Sequence, residues 1–314
     1  VNCPLARVNR RRFLRLGLLT AAVAGWGRFA GLPAARAVEP FRRPGRCRLK
    51  LSLAAYSFRD RFNAADPARR LSLPEFLDYC ADHGCDAAEL TSYYFPKTVT
   101  PALLNDLKRH AHLRGLALSG TAVGNNFALP DGPERDAQLA LVKAWVDHAA
   151  ALGAPHVRVF AGEARGPDRA AAKRQCIRAL EECGAYAGQR GVWLGLENHG
   201  GIVADVAELL DILRAVQSPW VGVNLDTGNF YSDADPYAEM ARLAPYAVNV
   251  QLKVAINRPG RAKQPTDLDR VIAVLREANY QGYVALEFEE ADPEQHVPVW
   301  LARMREAFAR VNAS

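Results

Sequence analysis

Val192-Trp193-Leu194-Gly195-Leu196-Glu197, Val221-Gly222-Val223-Asn224-Leu225-Asp226, Val248-Asn249-Val250-Gln251-Leu252-Lys253 and Tyr283-Val284-Ala285-Leu286-Glu287-Phe288 are four short runs in which apolar residues alternate with small or polar ones. A period of two belongs to a β-strand, whose successive side chains point to opposite faces. Val192, Leu194 and Leu196 form one parity of the first run and leave Trp193, Gly195, Glu197 and then His199 on the other. In the second run Val221, Val223 and Leu225 leave Asn224 and Asp226. The third sets Val248, Val250 and Leu252 against Asn249, Gln251 and Lys253, and the fourth sets Val284, Leu286 and Phe288 against Tyr283, Ala285, Glu287 and Glu289.

Upstream, comparable strands are expected over 51–58, 86–91, 116–123 and 156–160. Amphipathic helices are expected near 72–83, 101–114, 133–152, 168–190, 203–216, 236–244, 266–279 and 293–311, several behind start signals such as Ser72-Leu73-Pro74-Glu75, Thr100-Pro101 and Asp235-Pro236. Eight strands alternating with eight helices predict an α/β protein with a single (β/α)8 barrel over 48–314. No glycine-rich phosphate loop follows the first strand, which argues against a doubly wound open sheet. In a barrel one strand parity meets the helices and the other points inward, so the polar residues above converge at the C-terminal mouth where such barrels carry their sites.

The chain has 314 residues, 49% hydrophobic and 24% charged, a globular composition. Its formal charge of +6 suggests a polyanion partner until its location is read. Residues 1–37 hold seven arginines and no acid; without them 33 basic residues face 34 acidic ones, so no nucleic-acid partner is expected. Asn9-Arg10-Arg11-Arg12-Phe13-Leu14, the apolar run from Leu16 to Trp26 and Ala35-Arg36-Ala37 read as a twin-arginine export signal over 1–37. The run is too short to span a bilayer, so no stable membrane insertion is expected after cleavage. Residues 38–47 read as a Pro/Arg-rich linker. The expected location is the periplasm or outside the cell. The six cysteines show no zinc-type spacing, and those in the helices read as small buried hydrophobes.

Glu197, Asp226 and Glu287 in one barrel mouth would repel unless a cation sits among them. With the Gln251 carbonyl the donor set is all oxygen, which suits a hard divalent ion, Mn²⁺ before Mg²⁺ or Co²⁺. Lys253 offers charge for an oxyanion or for balancing the carboxylates. His199 offers a hydrogen bond or a proton shuttle, and Glu89 and Arg158 offer contacts to sugar hydroxyls. Tyr93, Tyr94, Phe95 and Phe127 are candidates for a pocket wall.

Leu194-Gly195-Leu196-Glu197-Asn198-His199-Gly200-Gly201, Val223-Asn224-Leu225-Asp226-Thr227-Gly228-Asn229, Val250-Gln251-Leu252-Lys253 and Gly282-Tyr283-Val284-Ala285-Leu286-Glu287 together resemble the sugar phosphate isomerase/epimerase superfamily, the xylose isomerase-like barrels that include ketose 3-epimerases. The resemblance implies metal ligands at Glu197, Asp226, Gln251 and Glu287, with Gln251 standing where those epimerases have histidine. Asn229 replaces a substrate-contacting histidine, and Arg258 falls near a substrate-binding arginine. The implied reaction is proton transfer beside a sugar carbonyl through a metal-stabilised enediolate, with Glu197 and Glu287 as the catalytic acid/base pair. The partner is then a small sugar or keto-glycoside. β-Elimination on 3-keto-glycosides is the alternative, followed by a non-catalytic carbohydrate-binding barrel, and assembly as a homo-oligomer is left open.

Overall fold

The computed structural model describes residues 37–313, so the export signal lies outside the described residues. Eight parallel strands close a barrel in the order β1-β10-β7-β6-β5-β4-β3-β2. They are β1 (Arg48–Ala54), β2 (Ala87–Thr91), β3 (Ala117–Ala122), β4 (His156–Val159), β5 (Trp193–Glu197), β6 (Val221–Asp226), β7 (Ala247–Leu252) and β10 (Gln281–Leu286). Between β7 and β10 lies an antiparallel two-stranded ribbon, β8 (Ala255–Ile256) and β9 (Gln264–Pro265). A one-turn helix α1 (Arg59–Phe62) follows β1. The outer ring is α2 (Leu73–Asp82), α3 (Pro101–Leu113), α4 (Pro133–Leu152), α5 (Arg169–Gly188), α6 (Val206–Ala215), α7 (Pro236–Leu243), α8 (Leu268–Glu277) and α9 (Pro293–Ala313).

Helix starts follow the local chemistry. Ser72 and Glu75 form a reciprocal capping box on α2, and Thr100 accepts from the Leu103 N–H ahead of Pro101. Asp235 behaves otherwise: it makes no cap bond to α7 and pairs with Arg270 at 2.8 Å. The outward parity (Leu194, Leu196, Val221, Val223, Leu225, Val250, Leu252, Val284, Leu286) is buried against the helices as expected.

Three expectations are corrected. The first strand begins at Arg48 and ends at Ala54, because 55–58 curl into a 3₁₀ turn whose Ser57 hydroxyl donates to Leu286 O and accepts from Phe288 N. The last strand runs from Gln281 to Leu286, since Arg48 to Leu53 pair with Gln281 to Leu286. Val248, expected outward, is skipped by the β6–β7 register and packs inward, filling the space that Gly195 and Gly222 leave open.

Residues 38–47 are tied to the floor of the barrel. Val38 N–H donates to Val216 O, Phe41 N–H to Pro245 O, and the Phe41 ring stands edge-on to Trp193 at 5.1 Å. Cys47, Cys80, Cys85, Cys176 and Cys183 are free thiols and all buried. No helix among the described residues is long and apolar enough to cross a membrane.

Candidate active site

Strand ends on one side of the barrel build the mouth. Glu197, Lys253 and Glu287 line a cavity of about 240 Å³ together with Tyr56, Tyr93, Arg158, Phe160, His199 and Glu289. Asp226 is fully buried and does not line it. Lys253 Nζ lies 2.7 Å from Glu289 Oε1, 3.0 Å from Glu287 Oε2 and 3.6 Å from Asp226 Oδ2. Its backbone N–H donates to Thr227 Oγ1. Its stem passes over Gly228, where an added Cβ would come within 2.6 Å of Cγ, so glycine there gives the lysine its path. Burial opposes the ammonium, but Glu287, Asp226 and Glu289 outweigh it and hold its pKa well above the usual lysine range.

Across the cavity Arg158 Nε sits 2.9 Å from Glu197 Oε2, and its Nη1 donates to Val123 O. Burial pushes the Glu197 carboxyl up to about 8; Arg158 opposes the rise, and Asp226 and Glu287 add to it. Burial likewise raises Asp226 to about 7, against Lys253 and the Gly228 N–H, which donates to Oδ1 at 2.7 Å. Asp226 Oδ2 accepts no hydrogen bond. The His199 ring lies 4.3 Å from that of Phe160, and burial with the nearby Arg158 and Lys253 charges lowers its pKa.

Gln251 and Glu89 belong to a polar layer below this cavity. The Gln251 amide donates to Glu89 Oε1 at 2.7 Å and accepts from Asn224 at 2.6 Å, while Asn249 donates to both Glu89 and Asn224. Asn224 also donates to Glu197 Oε2, which links the layer to the mouth. Glu89 is fully enclosed, its pKa raised to about 7 by burial and by Glu287, and it does not reach the cavity as a sugar contact. Arg258 donates to Ser232 O and Ala234 O and braces the loop after β6. Asn229 lies beside a small crevice behind Lys253. Of the four expected wall aromatics only Tyr93 lines the cavity: Tyr94 stacks on Phe62, Phe95 meets Trp145 edge-on, and Phe127 is buried. Tyr56 and Phe160 line it as well, outside the expected site residues. Phe160 is the next inward position after Arg158 and was legible on parity; Tyr56 reaches the mouth through the 3₁₀ turn, which has no periodicity to read.

As arranged, the cluster does not fit the divalent ion that the resemblance implies. The Lys253 ammonium stands between Asp226 and Glu287, Glu197 is paired with Arg158, and both ends of the Gln251 amide are engaged. Among the described residues no three histidine, cysteine or acidic side chains converge closely enough to ligate one ion. The positive charge beside the acidic groups of the mouth is supplied by Lys253 and Arg158.

A closed parallel barrel with a polar mouth defines a large class of α/β enzymes. Residues 77–307 match the model of the xylose isomerase-like TIM barrel family, and the chain belongs to that family. Among solved structures it is similar to the 3-keto-D-glucoside 4-epimerase YcjR of E. coli, with 17% identity, TM-score 0.66, and 82% of this chain and 100% of that one covered. It is similar also to a D-psicose 3-epimerase, with 18% identity, TM-score 0.66, and 84% and 100% covered. Protein SMc04130 from Sinorhizobium meliloti 1021 shares 22% identity at TM-score 0.65, with 83% and 98% covered. These likenesses establish the fold. No curated protein matches the sequence.

Proposed function

We propose that this chain is a sugar isomerase or epimerase that moves a proton on the carbon next to a carbonyl. The observation that carries the reading is the placement of Glu197 and Glu287 on one cavity, from strands three places apart around the barrel, with the Lys253 ammonium beside Glu287. Glu287, ion-paired to Lys253, takes the α-proton. The electron pair of the broken C–H bond moves onto the carbonyl oxygen, and Lys253 holds the resulting enediolate oxygen. Glu197, raised to about 8, carries a proton through the neutral range. Its return to the same carbon from the other side gives an epimer, and its return to the neighbouring carbon gives an isomer. Asp226 Oδ2, which accepts no hydrogen bond, faces the Lys253 ammonium at 3.6 Å and helps to hold it in place. The two epimerases among the structural relatives support this reading, and the export signal read in residues 1–37 supports a periplasmic or secreted site of action.

The test is proton exchange. Protein with and without added Mn²⁺ is incubated in D₂O with D-ketoses and 3-keto-glucosides and followed by NMR. Deuterium should enter at an α-carbon without the ion, and Glu287→Gln should slow entry by about 10²–10⁴-fold. Exchange that requires Mn²⁺ would restore the metal-assisted mechanism, released aglycone would assign a lyase, and no exchange on any sugar would refute the proposal.

A further inference from the structure

The carboxylate cavity opens beside a second one. Asn125, Asn126, Ala161, Gly162, Glu163, Gly200, Gly201 and Val203 enclose about 280 Å³, and Phe160 and His199 line both spaces. The two rings, 4.3 Å apart, form a wall that the two cavities share. The second cavity is built from three loops, those after β3, β4 and β5, bonded into one wall. Asn125 donates to Phe160 O and accepts from Phe160 N–H, Asn126 donates to Glu163 O, Phe127 N–H donates to Ala161 O, and Ile202 N–H donates to Gly162 O. A Cβ on Gly201, which has φ +58°, would fall 2.3 Å from Gly162 O, so this close approach of two loops requires glycine. Bonds of this number between loops make a preformed space, the usual state of a ligand site.

The lining chemistry narrows the occupant. Among the described residues no lysine or arginine lines the second cavity, and Arg169, which donates to Gly201 O, is engaged by the wall itself, so the lining offers no cation to pair with a phosphate. It offers backbone groups, the His199 imidazole, the Glu163 carboxylate and the Phe160 ring, groups suited to hydroxyls and to the apolar face of a sugar ring.

We infer that the second cavity is a subsite for the second ring of an uncharged glycoside, so that the substrate is a two-ring glycoside and not a free monosaccharide or a sugar phosphate. This rests on the reading of the first cavity as a sugar site. The reacting ring then lies among Glu197, Lys253 and Glu287, and the linked ring lies past the Phe160–His199 pair.

Calorimetry on the full chain tests it, with D-glucose, D-fructose, glucose 6-phosphate, maltose, cellobiose, trehalose and sucrose as probes. Glu163 is exposed, and its Oε1 lies 3.0 Å from the Cβ position of Gly201, so Glu163→Trp should block the second cavity alone. The expected result is at least one disaccharide bound ten-fold or more tightly than its component monosaccharides and than glucose 6-phosphate. In Glu163→Trp that preference disappears while monosaccharide affinity stays as it was, which also shows that the variant is folded. Equal affinity for one-ring and two-ring sugars, tighter binding of the phosphate, or a preference that survives in Glu163→Trp overturns the subsite and leaves the sugar site standing. No binding of any sugar overturns both.

Discussion

Replacing Lys253 with methionine would leave Asp226 and Glu287 facing one another in a buried mouth with nothing between them. Breaking a buried ion pair from one side costs about 3–5 kcal/mol, most of it the stranded charge. Lys253→Met should therefore lose that much stability in denaturant titrations, and it should become a protein whose melting temperature rises with Mn²⁺. The wild type, its ammonium in place, should show no such rise; an equal rise in both would mean that ion and ammonium occupy different positions. Residue by residue, the mouth was legible where parity decides direction. Glu197, Lys253, Glu287, His199 and Arg158 all reach the cavity. Gln251 and Glu89 share the inward direction but lie lower, because height in a barrel is set by strand stagger, which no single strand's alternation records. Asn229 and Arg258 lie on loops, where backbone hydrogen bonds decide their contacts and sequence spacing does not.

At the scale of elements, β3 depends on one small residue. It carries an irregularity against β2, where Ala88 pairs with Leu118 and Glu89 with Gly120. The skipped Ser119 turns its carbonyl to His156 Nδ1 at 2.8 Å. A Cβ on Gly120 would fall 1.9 Å from the His156 ring, which is fully buried and kept neutral, its pKa lowered by burial to about 4. Gly120→Ala should destabilise the fold by about 1–3 kcal/mol, read from the shift of the denaturation midpoint, since overpacking a closed interior displaces what is already there. The helix bounds are legible to within a few residues because caps and prolines are local signals. The end of the first strand is hidden from the sequence for the opposite reason. Its apolar run continues through Ala55-Tyr56-Ser57-Phe58, and the turn that ends it is held by bonds to β10, more than two hundred residues away in sequence.

For the whole molecule the barrel interior is the feature that sets behaviour with pH. Glu197, Asp226 and Glu89 are all shifted upward, to about 8, 7 and 7, chiefly by burial. A carboxyl raised on folding binds its proton more tightly in the native state, so its stabilisation is complete below the unfolded value near 4 and is lost as pH rises through the folded one. His156, lowered to about 4, works the other way between there and its ordinary value near 6.5. His148 and His199 are lowered as well, so the histidines oppose the carboxyls up to about pH 6.5. Above it the raised carboxyls decide, the melting temperature falls toward pH 8, and Glu197→Gln should flatten the upper part of that fall. A melting temperature that climbs across this range would mean that the interior carboxyls are ionised throughout.

The ammonium at the centre of the mouth has a consequence for how this molecule meets its surroundings. A bound ion must be found, loaded and kept, and it can be stripped by a chelator or exchanged for the wrong element. Lys253 arrives with translation, is threaded into place by Thr227 and Gly228, and cannot be removed short of unfolding. A mouth charged in this way keeps its ammonium in surroundings starved of trace elements.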